Sequence, residues 1–266
     1  MRRHIQKKIY HVEVLPPKQD TEKLEADLER FANKYNRVLD NGYCACITDN
    51  AMGLLAFQGT ELIEELSLPV KPEQVMIHLN TFHTKVELDI ILNTCQSMGI
   101  QYLLAITGDG SDRLPKLQPA DVGAEDVESV TSVELMRYIG REYSDVFTMG
   151  VAFNPYEPAD HEFAKLDRKL DAGAEFIITQ PIIEKNAVVD KLLADYPDIP
   201  VVLEAWMSKK LHLLSDAVGY EIPEDTAYDP MATLEMLHRT YPQCGMYLSL
   251  LGFKTQFDKI TDTWVS

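Results

Sequence analysis

Short apolar runs and longer segments of helical periodicity alternate along the whole chain. Eight apolar runs rich in β-branched and aromatic residues predict strands, at about 9–17, 43–50, 75–82, 102–109, 147–155, 176–183, 200–207 and 246–253. The segments between them repeat apolar residues at helical spacing, most clearly at 20–35, 84–100, 132–143, 161–174 and 232–241. Eight strands that each precede a helix close most readily into a barrel. The pattern therefore predicts an α/β fold, a single (β/α)8 TIM-barrel domain over residues 1–266.

Two connections are longer than a barrel scaffold requires. The first, at about 108–128, follows the carboxyl end of the fourth predicted strand, and that end of a TIM barrel carries the active site. We therefore expect it to cover a ligand. The second, at about 219–230, precedes the last helix. It does not follow the carboxyl end of a predicted strand, so it is interpreted as an ordinary surface loop.

A carboxylate interrupts the first predicted strand. Glu13 lies within the apolar segment VEVL. A carboxylate that points into a barrel interior is costly unless it is paired, hydrogen-bonded or protonated, and a raised pKa suits a general acid. The alternative is that Glu13 points outward or forms a structural ion pair, and strand position alone does not separate the two.

Polar residues also mark three other strands. His78 lies in HLNTFH, Asp109 stands between two glycines in TGDG, and Gln180 lies in TQP. A glycine turn lets the backbone approach a cofactor, and a planar amide can read the edge of a heteroaromatic ring. The histidine and the amide can equally be hydrogen-bonded core residues, and GDG an ordinary turn. No spacing defines a metal triad, so no metal site is predicted.

Composition and charge narrow the class of partner. The chain is 45% hydrophobic and 25% charged, as in soluble globular proteins, and its net charge of −17 argues against nucleic acid. No apolar stretch is long enough to span a membrane, and no apolar segment follows Arg2 and Arg3 to make an export signal. Four scattered cysteines favour a reducing cytoplasm, and Cys44 and Cys46 are interpreted as core residues rather than zinc ligands.

Several motifs occur in the order of one known family. They are YHVEVLPPK, ITDNAMG, HLNTFHTKVEL, AITGD and LDRKLDAGAEFIITQP, spread with their spacing over about residues 10–220. Each is weak alone, but EVLPPK together with LDRKLDAGA and ITQ is specific. The chain resembles the methylenetetrahydrofolate reductase family in its short, catalytic-barrel form.

The resemblance implies an oxidoreductase that reduces 5,10-methylenetetrahydrofolate to 5-methyltetrahydrofolate, or runs the reverse methyl oxidation, with FAD passing hydride from NADH or NADPH. It implies that Glu13 is the general acid, that Asp109 stabilises the cation, and that Gln180, with both of these, contacts the folate. The positions that hold FAD correspond to Thr48, His78, Gly108, Asp109, Asn154, Arg168 and Lys169. Family members commonly form oligomers, so the resemblance also allows a homo-oligomer.

The chain departs from the family pattern at several strand ends. Thr107 replaces an arginine, 152–155 lacks the usual tyrosine, 251–253 lacks the usual basic residue, and Pro181 replaces an aromatic residue. These losses indicate a divergent member. They leave open a flavin-independent relative that acts on a folate or another one-carbon pterin. A non-catalytic folate-binding subunit of a one-carbon enzyme complex is a further alternative.

Overall fold

The structure is a computed structural model that describes residues 5, 9–110 and 114–260. Eight parallel strands form a closed barrel in chain order, and β1 pairs with both β2 and β8. The strands are β1 (Tyr10–Val14), β2 (Cys44–Ile47), β3 (Val75–Leu79), β4 (Tyr102–Ala105), β5 (Thr148–Phe153), β6 (Phe176–Pro181), β7 (Val201–Trp206) and β8 (Gly245–Ser249). The predicted (β/α)8 barrel is confirmed. The extension of one domain over all of 1–266 stays a prediction.

Helices connect the strands on the outside of the barrel. They are α1 (Leu24–Asp40), α2 (Gly59–Glu65), α3 (Lys85–Met98), α4 (Pro119–Val122), α5 (Ser132–Glu142), α6 (Ala159–Asp171), α7 (Ala187–Asp195), α8 (Leu211–Val218) and α9 (Pro230–Thr240). Short 3-10 turns occupy Ala51–Gly53 and Phe257–Lys259. Within the described ranges, no helix combines the length and apolar character needed to cross a bilayer.

Most strands end earlier than their apolar runs predict. β1 stops at Val14 and β4 at Ala105, although the runs extend to 17 and 109. Beyond β4 the chain turns sharply, because Gly108 and Gly110 have φ of 88° and 72°. The polar residues at the ends of these runs therefore belong to loops at the barrel mouth rather than to the strands.

Local sequence sets the starts of the helices that flank this mouth. Thr84 begins α3 and Thr131 begins α5, and each forms a capping box with the glutamate three residues later. The Thr131 hydroxyl accepts a hydrogen bond from the Val133 N–H, which fixes the first turn of α5 at the edge of the mouth.

Two of the three apolar clusters among the described residues form the main layers of the core. One lies between the barrel and its helices, and the other fills the barrel interior. In the interior the Phe176 ring covers Gly150 so closely that a Cβ there would lie 2.0 Å from the ring. Cys44 and Cys46 are fully buried in the same interior layer, as their interpretation as core residues predicts.

Candidate functional site at the carboxyl end of the barrel

Glu13 faces the interior of the barrel rather than a helix. The Tyr247 hydroxyl, from the interior layer of β8, donates a hydrogen bond to its carboxylate. The Leu250 backbone N–H also donates to Glu13 Oε2 at 2.9 Å. The alternative of an outward-pointing Glu13 is therefore wrong for the described structure.

The surroundings of Glu13 favour its protonated form. Burial raises the pKa of the Glu13 carboxyl, while the Leu250 amide, the Tyr247 hydroxyl and the more distant charge of Lys34 lower it. The balance lies above the usual range of a glutamate, which is the direction expected of a general acid.

Thr48 and His78 lie in the wall of the same interior. Both are buried, and the His78 ring lies 5.9 Å from the Tyr247 ring between centroids. Burial lowers the pKa of His78 to about 4, against the charge of Asp49, so the imidazole is neutral near pH 7. Its Nε2 atom is buried without a hydrogen-bond partner in the described part of the chain.

A groove of about 810 Å³ opens beside this interior, between the carboxyl ends of β4, β5 and β6 and helices α5 and α6. Six of the residues predicted for the site line it together: Gly108, Asp109, Asn154, Arg168, Lys169 and Gln180. Glu13, Thr48 and His78 are not among its lining residues. The structure thus divides the predicted set between the groove and the barrel interior.

Asp109 ties two loops of the groove together. Its Oδ2 accepts a hydrogen bond from the Met52 backbone N–H at 3.0 Å, and its side chain is exposed. Packing, in addition to the turn, requires glycine at both positions that flank Asp109. A Cβ on Gly108 would lie 2.9 Å from Asn80 Cβ, and one on Gly110 would lie 2.7 Å from Phe82.

Lys169 and Arg168, the two cations predicted on α6, differ in their contacts within the protein. Lys169 Nζ donates to the Ala152 carbonyl oxygen at 2.6 Å, and burial lowers the pKa of Lys169. Arg168 is exposed at the groove and makes no ion pair within the described ranges. Asn154 Oδ1 accepts from the Tyr156 N–H, so this side chain shapes the loop after β5.

The long connections both reach the barrel mouth. Residues 127–129 of the first line the groove, whereas 111–113 lie outside the described residues. The second is more than a surface excursion, because the Tyr228 hydroxyl donates to the Trp206 carbonyl at 2.7 Å and Tyr220 meets Tyr156 edge-on. This connection therefore packs on the end of β7 and on the loop after β5, a role that its sequence alone does not indicate.

Sequence reasoning missed three residues of the site. Asp49 is buried after β2, where its Oδ2 accepts from the Asn80 N–H at 2.9 Å and lies 2.7 Å from His83 Nε2. Tyr247 links β8 to Glu13, and nothing in its local sequence marks that role. Glu204 interrupts the apolar segment PVVLEAWM as Glu13 interrupts VEVL, so the same signal could have found it.

Two features define what this end of the barrel can do. The Glu13 carboxyl, whose pKa burial raises, lies inside the mouth, and a polar groove lined by Arg168 and Lys169 lies beside it. Among the described residues, no group of three or more His, Cys, Asp or Glu side chains is placed to hold a metal ion. The fold and site are those of a TIM barrel with a ligand groove and an acid at the carboxyl ends of its strands.

The family follows from comparison with known sequences. The family model described as methylenetetrahydrofolate reductase matches residues 1–232, and the chain belongs to that family.

Curated proteins of other organisms are similar in sequence to parts of the chain. Methylenetetrahydrofolate reductase 2 of Schizosaccharomyces pombe is 28% identical over 160 residues, which cover 52% of this chain and 24% of that protein. Methylenetetrahydrofolate reductase (NADH) 1 of Zea mays is 29% identical over 187 residues, 64% of this chain and 30% of its own. The chain thus spans about a quarter to a third of the length of these relatives.

A solved structure shares the fold over nearly the full length. It belongs to a protein from Clostridium thermocellum described as binding two copies of 5-methyl-5,6,7,8-tetrahydrofolic acid. The match has a TM-score of 0.64 at 12% identity and covers 98% of this chain and 95% of that one.

Proposed function

We propose that this protein is an oxidoreductase that reduces 5,10-methylenetetrahydrofolate to 5-methyltetrahydrofolate, or runs the reverse oxidation, with FAD and NADH or NADPH. Membership of the family and the names of the relatives, which specify NADH or NADPH, support the reaction class. The description of the Clostridium thermocellum barrel, which binds a methylated tetrahydrofolate, supports a folate as the ligand. Four buried free cysteines suit the cytoplasm, which we retain as the location.

One observation carries the proposal: Glu13 faces into the barrel mouth, where the Leu250 N–H and the Tyr247 hydroxyl contact its carboxyl and burial raises its pKa. Reduction of the methylene bridge requires that its five-membered ring open first. Glu13 gives its proton to the ring nitrogen, the carbon–nitrogen bond breaks with its electron pair on that nitrogen, and the carbon becomes an iminium that accepts hydride. The Tyr247 and Leu250 donors then stabilise the carboxylate that Glu13 becomes.

Two groove residues suit the remaining parts of the substrate. Asp109 presents one carboxylate oxygen to the Met52 N–H and keeps its second oxygen for a developing cation. Gln180 lines the groove at the end of β6 with a planar amide that can bind the edge of a pterin or nicotinamide ring. These roles rest on the family resemblance together with the position of both residues at the groove.

Two features of the groove support FAD as the cofactor. Its volume of about 810 Å³ is in the range of cofactor sites, and the exposed Arg168 offers a cation to a diphosphate. His78 lies outside the groove lining, with its Nε2 atom buried in the interior wall. When bound, FAD would supply a ring that takes hydride from the nicotinamide and passes it to the folate.

A flavin-independent reaction is the second candidate, and specific contacts favour it. Thr107 stands where the family has an arginine, and its hydroxyl accepts from the Ser132 N–H at 3.2 Å, so it is used within the protein. Lys169 is likewise bound to the Ala152 carbonyl. Both contacts reduce the number of polar groups that the groove offers to a dinucleotide such as FAD. A non-catalytic folate-binding subunit is the third candidate, and it gives no reason for a raised pKa at Glu13.

The visible absorbance spectrum of the purified protein separates the first two candidates. Flavin bands with stoichiometric FAD released on heating support the flavoprotein, and the bound flavin is then tested with NADH, NADPH and methylenetetrahydrofolate. A colourless protein that FAD does not reconstitute, but that transfers hydride directly from NADH to the folate, supports the second. Folate binding without turnover by either route would support the third candidate, the non-catalytic folate-binding subunit, and refute the proposed activity.

A further inference from the structure

The chain turns sharply after β8, and this turn reaches Glu13. We call residues 250–257 the β8 turn. Its first residue, Leu250, donates its backbone N–H to Glu13 Oε2 at 2.9 Å. Leu250 has φ of 52°, a conformation that a residue other than glycine keeps only when surrounding contacts hold it there. The contact with Glu13 therefore depends on what keeps the β8 turn in shape.

The Gln256 side chain bonds the β8 turn on two sides. Its Oε1 accepts from the Gly252 backbone N–H at 2.6 Å, and its Nε2 donates to the Met207 carbonyl oxygen at 2.9 Å. Met207 follows β7 directly, and its own N–H donates to the Ser249 carbonyl oxygen at 3.0 Å. The Gln256 amide thus fixes the β8 turn both internally and to the end of the neighbouring strand.

The position of Gly252 leaves room for this side chain. A Cβ on Gly252 would lie 2.8 Å from Gln256 Oε1 and 2.7 Å from Thr255 Oγ1. The Gly252 carbonyl oxygen accepts from the backbone N–H groups of Thr255 and Gln256, at 3.0 and 2.7 Å. The family resemblance implies a basic residue within 251–253, and this chain has none there. It carries instead a closed turn in which glycine accommodates the glutamine amide.

Other contacts hold the far side of the β8 turn. Arg37 of α1 donates to the Phe253 carbonyl oxygen at 2.6 Å. The rings of Phe253 and Phe257 stack with their centroids 5.2 Å apart, and Phe257 is buried. These contacts anchor the turn to the helix layer. Loss of the Gln256 amide bonds is therefore expected to loosen the Leu250 end without detaching the whole turn.

We propose that Gln256 is a positioning residue for Glu13: its side-chain amide holds the β8 turn in the shape that brings the Leu250 N–H to the Glu13 carboxyl. The role in catalysis rests on the proposed function, whereas the contact is a property of the protein alone. When Glu13 gives its proton to the folate nitrogen, it becomes a carboxylate, and the Leu250 N–H then bonds a full negative charge. Because that bond is stronger after the transfer than before it, Gln256 favours the proton transfer through Leu250.

The test removes the two amide bonds with Gln256→Met, which keeps a side chain of similar length. The Leu250 amide and the glutamate carboxyl carbons are followed by NMR against pH in the full chain without folate. In the parent the Leu250 amide resonance is expected to shift as Glu13 titrates, and Glu13→Gln identifies that shift by abolishing it. In Gln256→Met the Leu250 resonance is expected to lose this shift. Glu13 is expected to titrate about one pH unit higher there, because it loses a donor that lowers its pKa.

Two further variants sharpen the test. Gly252→Ala breaks the same contact from the other side, since its Cβ displaces Gln256 Oε1, and it is expected to give the same two changes. Gln118→Met is the matched control, because Gln118 Nε2 also donates to a backbone carbonyl, that of Lys116 at 2.9 Å, and it should change neither signal. All of these variants keep the titratable groups that interact electrostatically with Glu13: Lys34, Cys46, Glu204 and Tyr247.

The catalytic readout separates positioning from a simple loss of stability. In Gln256→Met, kcat for folate reduction is expected to fall about tenfold or more, with KM and the oxidation of NADH or NADPH within a few-fold of the parent. A folded Gln256→Met in which Leu250 still shifts with Glu13, and Glu13 titrates as in the parent, would overturn the inference. If that variant does not fold, the same two signals in Gly252→Ala decide. Changed titration in the variants without any folate reduction by the parent would uphold the role of Gln256 and refute the proposed function.

Discussion

The Leu250 backbone N–H donates a 2.9 Å hydrogen bond to Glu13 Oε2 from a residue whose φ is 52°. A branched side chain at positive φ costs about 1 kcal/mol or more. The turn after β8 therefore holds a strained residue whose amide stabilises the carboxylate form of the proposed acid. A glutamine side chain keeps an oxygen that can accept this bond, which makes Glu13→Gln the informative replacement.

Glu13→Gln is expected to lower folate reduction by about 10²- to 10⁴-fold, because the amide cannot supply the proton that opens the ring. Oxidation of NADH or NADPH by the bound flavin needs no such proton and should stay within a few-fold of the parent. Stopped-flow measurement of the two half-reactions separates them. Equal loss of both would show that Glu13 is structural.

Asp109→Asn is expected to slow folate reduction about tenfold or more, because the negative charge that stabilises the developing cation is lost. The asparagine oxygen can still accept from the Met52 N–H, so the loop contact and the melting temperature should be kept. Single-turnover rates with saturating folate give the readout. Asp121→Asn, in the first turn of α4, serves as a control outside the groove. Unchanged turnover would remove Asp109 from the mechanism.

Arg168→Gln is expected to weaken FAD binding about tenfold or more, because a charge-assisted hydrogen bond to a phosphate contributes about 1.5–3 kcal/mol. Titration of the flavin-free protein with FAD, followed by flavin fluorescence, gives the dissociation constant. Arg239→Gln, on the outer face of α9, makes the same charge change far from the groove and should leave it unchanged. Equal affinity of Arg168→Gln and the parent contradicts the assignment.

Thr107→Val is expected to destabilise the protein by about 0.5–2 kcal/mol, because it removes the hydroxyl that accepts from the Ser132 N–H at the start of α5. Thr107→Ser retains that hydroxyl and should cost much less. Chemical denaturation of the three proteins at one pH gives the comparison. A valine variant as stable as the parent would show that water replaces this contact.

His83→Gln is expected to change how stability depends on pH. Burial alone would lower the pKa of His83, but the hydrogen bond to Asp49 and its charge raise it above the usual value. A raised pKa means that the folded state holds the proton more tightly. The stabilisation is therefore full below about pH 6.5 and is lost as the pH rises through the folded pKa.

The measurement is the difference in melting temperature between parent and His83→Gln from pH 5.5 to 9. That difference should be largest at the acid end and shrink toward the alkaline end. Taking the difference cancels the opposite contributions of His11 and His78, whose pKa burial lowers to about 4. A difference that is constant with pH would mean that the Asp49 contact does not depend on the charge of His83.

Much of the fold could be predicted from local patterns. Alternation of apolar runs and helical segments placed all eight strands, because each strand of a parallel barrel is buried on both faces and carries its own signal. The predicted helical segments that begin at 84 and 132 likewise agree with α3 and α5, which begin at Lys85 and Ser132. Strand ends were less well placed, because the apolar runs continue into loops that tertiary contacts shape.

The sequence by itself determined the order of the elements, the barrel, and the presence of an acid in its first strand, since each follows from the chemistry of neighbouring residues. Only the tertiary structure decided that Glu13 points inward, that the Thr107 hydroxyl accepts from the start of α5, and that Glu204 stands opposite Tyr247. Closure of the barrel brings β7 and β8 against β1, and this places side chains from opposite ends of the chain in one interior of low polarity. There, burial raises the pKa of Glu13, and that burial is not visible in any local stretch of sequence.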